Sequence, residues 1–382
     1  MTCCGILLGM CILLCGLPGL SASSLPALNV GLSGNQGGVQ LSMQGQRNGP
    51  VESIENRDPT QCDYAPPGEY MLDHTFVFHD GWYHLFNISG TAGYYHGYNG
   101  NNETLAWSIS RDLVNWEFRG HVLHASGWEG FFDQHEVWAP FCIKGPDAFY
   151  MYYTGVIHPH RPMEYRKLGH DHPWVGKGHV ETQGIARSTD LTDWVKISDP
   201  YKGAGIPGRD SHVVYDEEGE RFLLYTTLGV MKVHASESRD LENWEPLGEC
   251  AEFPPLASDS PELPDQARQF GGKVNSSESL TVMRHPLNGR WIMLGNWQYI
   301  LSDDPASFSM KDVRIHDFKY DGKLVDVGTA GEYLQYKGRW YRSGNLGKRD
   351  YWRLGFTEIE WVEDGAFRII KPSVIINNME HP

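Results

Sequence analysis

Basic residues, cysteines and helical periods are all scarce in this 382-residue chain. Each scarcity removes a class of protein. Lys and Arg number 32 against 48 Asp and Glu, a formal charge of -16. No basic stripe is left to neutralise phosphates, so nucleic acid is excluded as a partner, and an anionic membrane surface with it. Cysteines number 7, and Cys3, Cys4, Cys11 and Cys15 all sit in the first residues. Cys62, Cys142 and Cys250 are too few for a disulfide scaffold, and their spacing matches no zinc site; one bridge is the most they can form. No stretch carries a sustained 3.6-residue apolar period, so long helices are not expected.

Aromatic residues are plentiful at 12% of the chain, and they suit pleated, half-buried strand surfaces. Residues 1–24 read as an export leader: an apolar run from Gly5 to Leu20, then Ser21 and Ala22 as small residues for cleavage. The leader implies a secreted or periplasmic protein, and Cys15 leaves lipid anchoring open. Beyond the leader no segment is apolar enough to enter a membrane. Residues 25–60 are rich in Gly, Ser and Asn and read as a linker or N-terminal arm. Residues 61–382 form the main domain. Asn87, Asn102 and Asn275 each begin a glycosylation triplet.

Three phrases recur: Ser110-Arg-Asp-Leu-Val-Asn-Trp116, Ser188-Thr-Asp-Leu-Thr-Asp-Trp194 and Ser238-Arg-Asp-Leu-Glu-Asn-Trp244. Each falls between segments that read as strands. A fixed turn phrase at intervals means one supersecondary unit repeated, and four-stranded repeats make a β-propeller. A degenerate copy runs from Ser302 to Phe308. Five segments open on an acidic residue, run as a strand, turn through a Gly-bearing pair and return as an aromatic strand. Their openers are Asp73, Glu136, Asp210, Glu278 and Glu332. The expected fold is therefore all-β, a five-bladed β-propeller. Asp80-Gly81, Glu218-Gly219, Asn288-Gly289 and Lys337-Gly338 are the expected hairpin turns, with Gly supplying the positive φ.

The first strand of a propeller blade lines the central channel, so the five openers are expected to face one funnel. A single acidic strand opener is usually a solvated turn residue. Five at equivalent repeat positions are harder to dismiss, because clustered carboxylates raise one another's pKa and suit acid/base work. His74, His135, Arg209 and His212 stand ready to balance the charge. Trp82, Trp128, Trp138 and Trp297 could stack on a ring, although blade packing is the commoner use of a Trp. His158, His160, His170, His172 and His179 read as a loop at the funnel mouth, because no His-x3-His helix accompanies them.

Asp73, Arg209-Asp210 and Glu278, with Val137-Trp-Ala-Pro140 and Tyr150-Met-Tyr-Tyr-Thr154, resemble the five-bladed glycoside hydrolases of families 32, 43, 62, 68 and 117. The Trp-Ala-Pro phrase is similar to family 43 in particular, and Arg209-Asp210 to families 32 and 68. The resemblance spans about residues 68–375. It departs from family 43 where His74 and Ser211, not Pro, follow the two Asp residues. It implies a glycosidase that cleaves a furanoside or xyloside, with an oligo- or polysaccharide as substrate. Asp73 would be base or nucleophile, Glu278 the general acid and Asp210 the third carboxylate that tunes the acid. His74, Glu136, Trp138, Arg209, His212, Trp297 and Glu332 would contact the sugar. No cofactor is required and no metal ligands are assigned, although a structural calcium in the central channel is common in family 43. A glycoside phosphorylase and a non-catalytic carbohydrate-binding propeller are the rival readings.

Overall fold

The computed structural model describes residues 57–93, 102–159, 178–229, 231–268, 272–274, 276–348 and 351–375. Five four-stranded antiparallel sheets follow one another in chain order. Blade one holds β1 (Glu69–His79), β2 (Trp82–Thr91), β3 (Thr104–Ser110) and β4 (Glu117–His124). Blade two holds β5 (Glu136–Lys144), β6 (Phe149–Ile157), β7 (Val180–Ser188) and β8 (Val195–Lys196). Blade three holds β9 (Arg209–Asp216), β10 (Arg221–Leu228), β11 (Lys232–Ser238) and β12 (Glu245–Glu252).

A short ribbon, β13 (Leu256–Ala257) with β14 (Lys273–Val274), and one helical turn, α1 (Asp265–Arg268), precede blade four. That blade holds β15 (Thr281–Arg284), β16 (Trp291–Leu294), β17 (Gln298–Ser302) and β18 (Arg314–Ile315). A second ribbon, β19 (Lys319–Tyr320) with β20 (Lys323–Leu324), leads to blade five. There lie β21 (Tyr333–Tyr336), β22 (Arg339–Leu346), β23 (Arg353–Trp361) and β24 (Phe367–Lys371). Among the described residues α1 is the only α-helix, as the missing helical period predicts.

Burial follows from this stacking. Strand β6 is buried along nearly its whole length because neighbouring blades cover both of its faces, whereas outer β4 alternates toward solvent. The repeated phrase is the device between blades. In each copy the Ser Oγ accepts from the backbone amides of the Asp and the Leu, and the Asp carboxylate accepts from the next two amides. The fully buried Leu then takes a left-handed conformation, at φ 62, 66 and 67 in Leu113, Leu191 and Leu241. The Trp indole donates to that Leu carbonyl at 3.2, 3.2 and 3.3 Å.

Each Trp is half-buried and reaches the preceding blade. Trp194 meets Phe86 edge-on, and Trp244 meets Tyr152. Trp116 joins the cluster that closes blade one against Tyr341 and Phe356 of blade five. The degenerate copy in blade four keeps the design. Tyr225 donates to Pro305 O at 2.7 Å, as Tyr152 donates to Leu241 O at 2.7 Å, and Phe308 takes the place of the Trp.

Several expectations are corrected. Cys62, Cys142 and Cys250 are free thiols in three separate core clusters, so no bridge forms. Asn87 lies fully buried in β2, and Asn102 is buried with its side-chain oxygen on the Tyr70 hydroxyl, so neither can accept a glycan. Asn275 lies outside the described residues. The left-handed residue of the blade-three hairpin is Glu220 at φ 49, not Gly219. Gly219 is needed for a different reason: a Cβ there would stand 2.5 Å from an Asp216 carboxylate oxygen. Asp58 of the described N-terminal residues pairs with Lys371 of blade five.

Candidate active site

The inner strands β1, β5, β9, β15 and β21 converge on the axis. Near the start of each, the backbone breaks its regular ladder. Asp73 sits in a bulge of β1, where the register shifts between Leu72 and His74. In the other four blades one non-glycine residue turns left-handed: Ala139 (φ 42), Asp210 (φ 56), Ser279 (φ 48) and Ala330 (φ 52). Such conformations cost on the order of 1 kcal/mol each and gather at functional sites. All five residues line one axial cavity of ≈20 Å³, with His74, His212 and Glu332 beside them. The volume suits about one water molecule.

This frame corrects the idea of five equivalent acidic openers. Asp73 and Asp210 stand at the break itself. Glu136 lies three residues before Ala139, Glu278 one before Ser279, and Glu332 two after Ala330. Only the first two positions match, and the other three carboxylates arrive by different routes.

Arg209 gathers the site. Its guanidinium reaches Asp210 at 3.4 Å, Glu278 at 2.5 Å and Glu181 at 3.4 Å, and it donates to Gly229 O at 2.9 Å. The Ser279 amide points at Asp210 Oδ2 at 3.3 Å, and the Asp210 amide at Thr154 Oγ1 at 3.2 Å. Burial raises Asp210 to about 8; Arg209 opposes that rise, while Asp73 and Glu278 add to it. Burial and then Glu278 raise Asp73 to about 6, against a pull from the Ser279 hydroxyl and Arg209. Three carboxylates on three blades therefore feel one another's charge around a single guanidinium. Asp73 and Asp210, both raised, titrate as a coupled pair that retains a proton near neutrality. The Glu278 side chain is 46% exposed and faces the mouth, whereas that of Asp210 is 6% exposed and forms the floor.

A chain of hydrogen bonds that sequence reasoning missed ends on Asp73. Asn345 Nδ2 reaches Asp73 Oδ1 at 3.4 Å, and Asn345 Oδ1 lies 3.2 Å from His74 Nδ1. His74 Nε2 lies 2.7 Å from Ser343 Oγ, which accepts from the Glu332 amide at 3.1 Å. Burial pushes His74 down to about 3, so the ring is neutral. With its proton on Nδ1 the whole chain donates toward the carboxylate. His212 is likewise buried and lowered to about 4, with Nε2 at 3.0 Å from Val282 O. Both rings line the axial cavity, but neither carries a charge, so Arg209 is the cation that opposes the rise of Asp73 and Asp210. Nothing in the local sequence marks Asn345, Gln183 or Glu181. Gln183, fully buried, joins Thr154 to Ser211 and so braces the turn at Asp210.

The remaining predicted residues separate. Glu136 is fully buried, with Trp138 Nε1 at 2.8 Å and His158 Nε2 at 3.3 Å, which places it beneath the surface of blade two. Glu332 lines the axial cavity and is raised to about 8 by burial alone. Trp297 is 2% exposed and packs on Phe318, which leaves no ring face for a ligand. Trp138 is nearly buried, with its ring against His179. Trp82 is capped by Arg111, 4.1 Å from its ring centre. Trp128 stands 69% exposed. Of the loop histidines, His158 and His179 belong to this blade-two network; His160, His170 and His172 lie outside the described residues. No three His, Cys, Asp or Glu side chains among the described residues converge as metal ligands.

This arrangement has counterparts. The sequence profile of glycosyl hydrolases family 43 matches residues 84–229, from β2 of blade one through β10 of blade three. The chain is a family 43-like five-bladed propeller. A family 43 β-xylosidase/α-arabinofuranosidase from a compost microbial metagenome superimposes with a TM-score of 0.54 at 15% identity, covering 80% of this chain and 96% of that one. The family 32 β-fructofuranosidase of Bombyx mori gives a TM-score of 0.54 at 16% identity, over 85% and 68% of the two chains.

Curated relatives match the family 43-like propeller over shorter stretches. A probable sucrose-6-phosphate hydrolase of Psychromonas ingrahamii is 25% identical over 211 residues, 51% of this chain and 34% of its own length. An insoluble β-fructofuranosidase isoenzyme of Arabidopsis thaliana is 26% identical over 175 residues, 44% of this chain and 24% of its own. The chain thus spans about a third or less of these relatives. Both resemblances noted in the sequence, to family 43 and to family 32, reappear among them.

Proposed function

We propose that this protein is an exported glycosidase that hydrolyses the O-glycosidic bond of a neutral furanoside or xyloside. The observation that carries the reading is the trio Asp73, Asp210 and Glu278, held on three blades around Arg209 and coupled through their charges. Hydrolysis through an oxocarbenium-like transition state needs one protonated and one ionised carboxyl on opposite sides of the scissile bond. Asp73 is the ionised partner, because the chain of donors through Asn345 stabilises its carboxylate. Glu278 stands at the mouth, where a leaving oxygen would emerge. In the substrate-free arrangement it lies on Arg209, so the incoming sugar must draw it away before it donates a proton. Asp210, 3.4 Å from Arg209, then retains the guanidinium. The Trp-Ala-Pro phrase favours inversion, with water activated by Asp73.

The phosphorylase reading is weaker. Arg209 is already committed to three carboxylates and a backbone carbonyl, and Arg268 pairs with Asp265. The pure binding module is weaker too: the repeated phrase serves blade packing, and the axial carboxylates are not repeated from blade to blade. The test is hydrolysis of aryl α-arabinofuranosides, β-xylosides and β-fructofuranosides, with the first-formed anomer read by proton NMR. Hydrolysis of one class, with inversion, is expected. No turnover of any of the three with a folded protein overturns the reading.

A further inference from the structure

Among the four tryptophans that the sequence offers for ring stacking, only Trp128 leaves its ring to solvent. It is not alone. Tyr201 is 64% exposed, and the Phe131 ring meets it edge-on with centres 5.1 Å apart. The two loops that carry these rings are the ones that enter inner strands: residues 125–135 run into β5, and residues 197–208 run into β9, whose second residue is Asp210. In an antiparallel blade the start of the inner strand marks the face on which the carboxylates open. The aromatic cluster therefore lies on the catalytic face, above blade two.

Exposed apolar rings on a mobile loop would mean little, since single exposed aromatics are ordinary. These loops are locked. The Ser126 and Gly127 amides donate to Asp133 O and Gln134 O at 2.9 and 3.1 Å, and the Gly130 amide to Gln134 Oε1 at 3.0 Å. Gly130 has φ 84, which lets the turn close beside Tyr201. The Phe132 amide donates to Pro200 O at 2.9 Å and joins one loop to the other. The second loop is tied to the site itself: the Ala204 amide donates to Gln183 O at 2.8 Å, and Gln183 Oε1 accepts from Ser211, next to Asp210. Exposed rings on loops whose backbone is held this firmly lose little freedom on binding and suit the apolar C–H faces of sugars. The chain's charge of -16 argues against an anionic occupant.

We propose that Trp128, Phe131 and Tyr201 form a platform that holds sugar units of a neutral oligosaccharide beyond the bond being cleaved. The proposal rests on the glycosidase reading and names the substrate as a chain longer than a disaccharide. The platform acts on affinity for long substrates and takes no part in the chemical step.

The test compares wild type with Trp128→Ala, Tyr201→Ala and the double variant, each first shown to unfold at the wild-type midpoint. Hydrolysis of the aryl monoglycoside is measured beside that of oligosaccharides of two to six units. Each truncation should lower kcat/KM on chains of three or more units by roughly threefold to tenfold, mainly through KM, because a ring contact of this kind is worth about one decade at most. The aryl substrate should be unaffected, and Trp128→Phe should restore most of the loss. A double variant with the wild-type chain-length profile overturns the platform. A second arm needs no catalysis: Asp73→Asn protein is run in gels containing soluble arabinoxylan, linear arabinan or inulin. Retardation in one of them that disappears with Trp128→Ala supports the platform, even if every aryl glycoside proves inert and the glycosidase reading falls. Retardation in none of the three, or retardation insensitive to Trp128, counts against it.

Discussion

Glu332 is the axial carboxyl whose surroundings give it nothing in return for its charge. Burial alone raises it from an ordinary 4.5 to about 8, and no cation opposes that rise. The sign follows from proton linkage. Between pH 4.5 and about 8 the folded protein holds a proton that the unfolded chain releases. This contribution to stability is therefore fully present below pH 4.5 and is lost as pH rises toward 8. Glu332→Gln keeps the shape and cannot ionise, so its stability should lack that decline. The rise from 4.5 to about 8 corresponds to at most about 5 kcal/mol at ~1.4 kcal/mol per decade. Water reaching the cavity would relieve part of it, so a gain of roughly 2–4 kcal/mol at pH 8.5 is expected, and about zero at pH 4.5. Urea unfolding midpoints across this range measure the difference. Asp73 and Asp210 slope the same way but are present in both proteins, so the comparison isolates Glu332. Equal midpoints at every pH, or a variant less stable at pH 8.5, would refute the picture of an uncompensated axial charge.

The remaining predictions concern the frame and its support of Asp73 and Asp210. Trp194→Ala and Trp244→Ala each remove a half-buried ring and one hydrogen bond to a buried Leu carbonyl. Each should cost about 2–3 kcal/mol in denaturant titrations, less than the ~3–5 of a fully buried ring, and an unchanged midpoint would deny the phrase its role between blades. Asn345→Ala takes away the donor to Asp73 and the partner of His74 Nδ1. Turnover should fall about tenfold or more with KM little changed, and the acidic limb of the pH profile should move upward, because an Asp73 without that donor ionises later. An unshifted limb would mean that the contact does not serve catalysis. Asp210→Asn should lower turnover, since it removes the buried carboxyl that shares Arg209 with Glu278; a wild-type rate would remove Asp210 from the site.

The period of the fold was legible because the turn phrase is chemical and local. Ser, Asp, Leu and Trp each do one job within seven residues, and three intact copies survive. Asp73 and Asp210 were legible as carboxyls at the start of inner strands. What escaped was register. The break in each inner strand is a backbone event, and Ala139, Ser279 and Ala330 show no preference for positive φ that would announce it. A shift of one to three residues therefore hid the difference between Glu278 at the mouth and Glu136 in the interior. Charge balance also escaped, because a histidine near an aspartate looks cationic until its burial is known. His74 and His212 are both too deeply buried to take a second ring proton and become cations. Asn345 approaches Asp73 from the far end of the domain, and such a contact leaves no local trace.

The account turns on two carboxyls with different tasks, and leaving-group dependence separates them. Glu278→Gln should hydrolyse aryl glycosides with very acidic phenols at rates near wild type but lose about 10²–10⁴-fold on poor leaving groups, where the proton matters. Asp73→Asn should be inactive on both. A folded Glu278→Gln protein that cleaves poor leaving groups as fast as wild type, or an Asp73→Asn protein that stays active, would contradict the assignment at its centre.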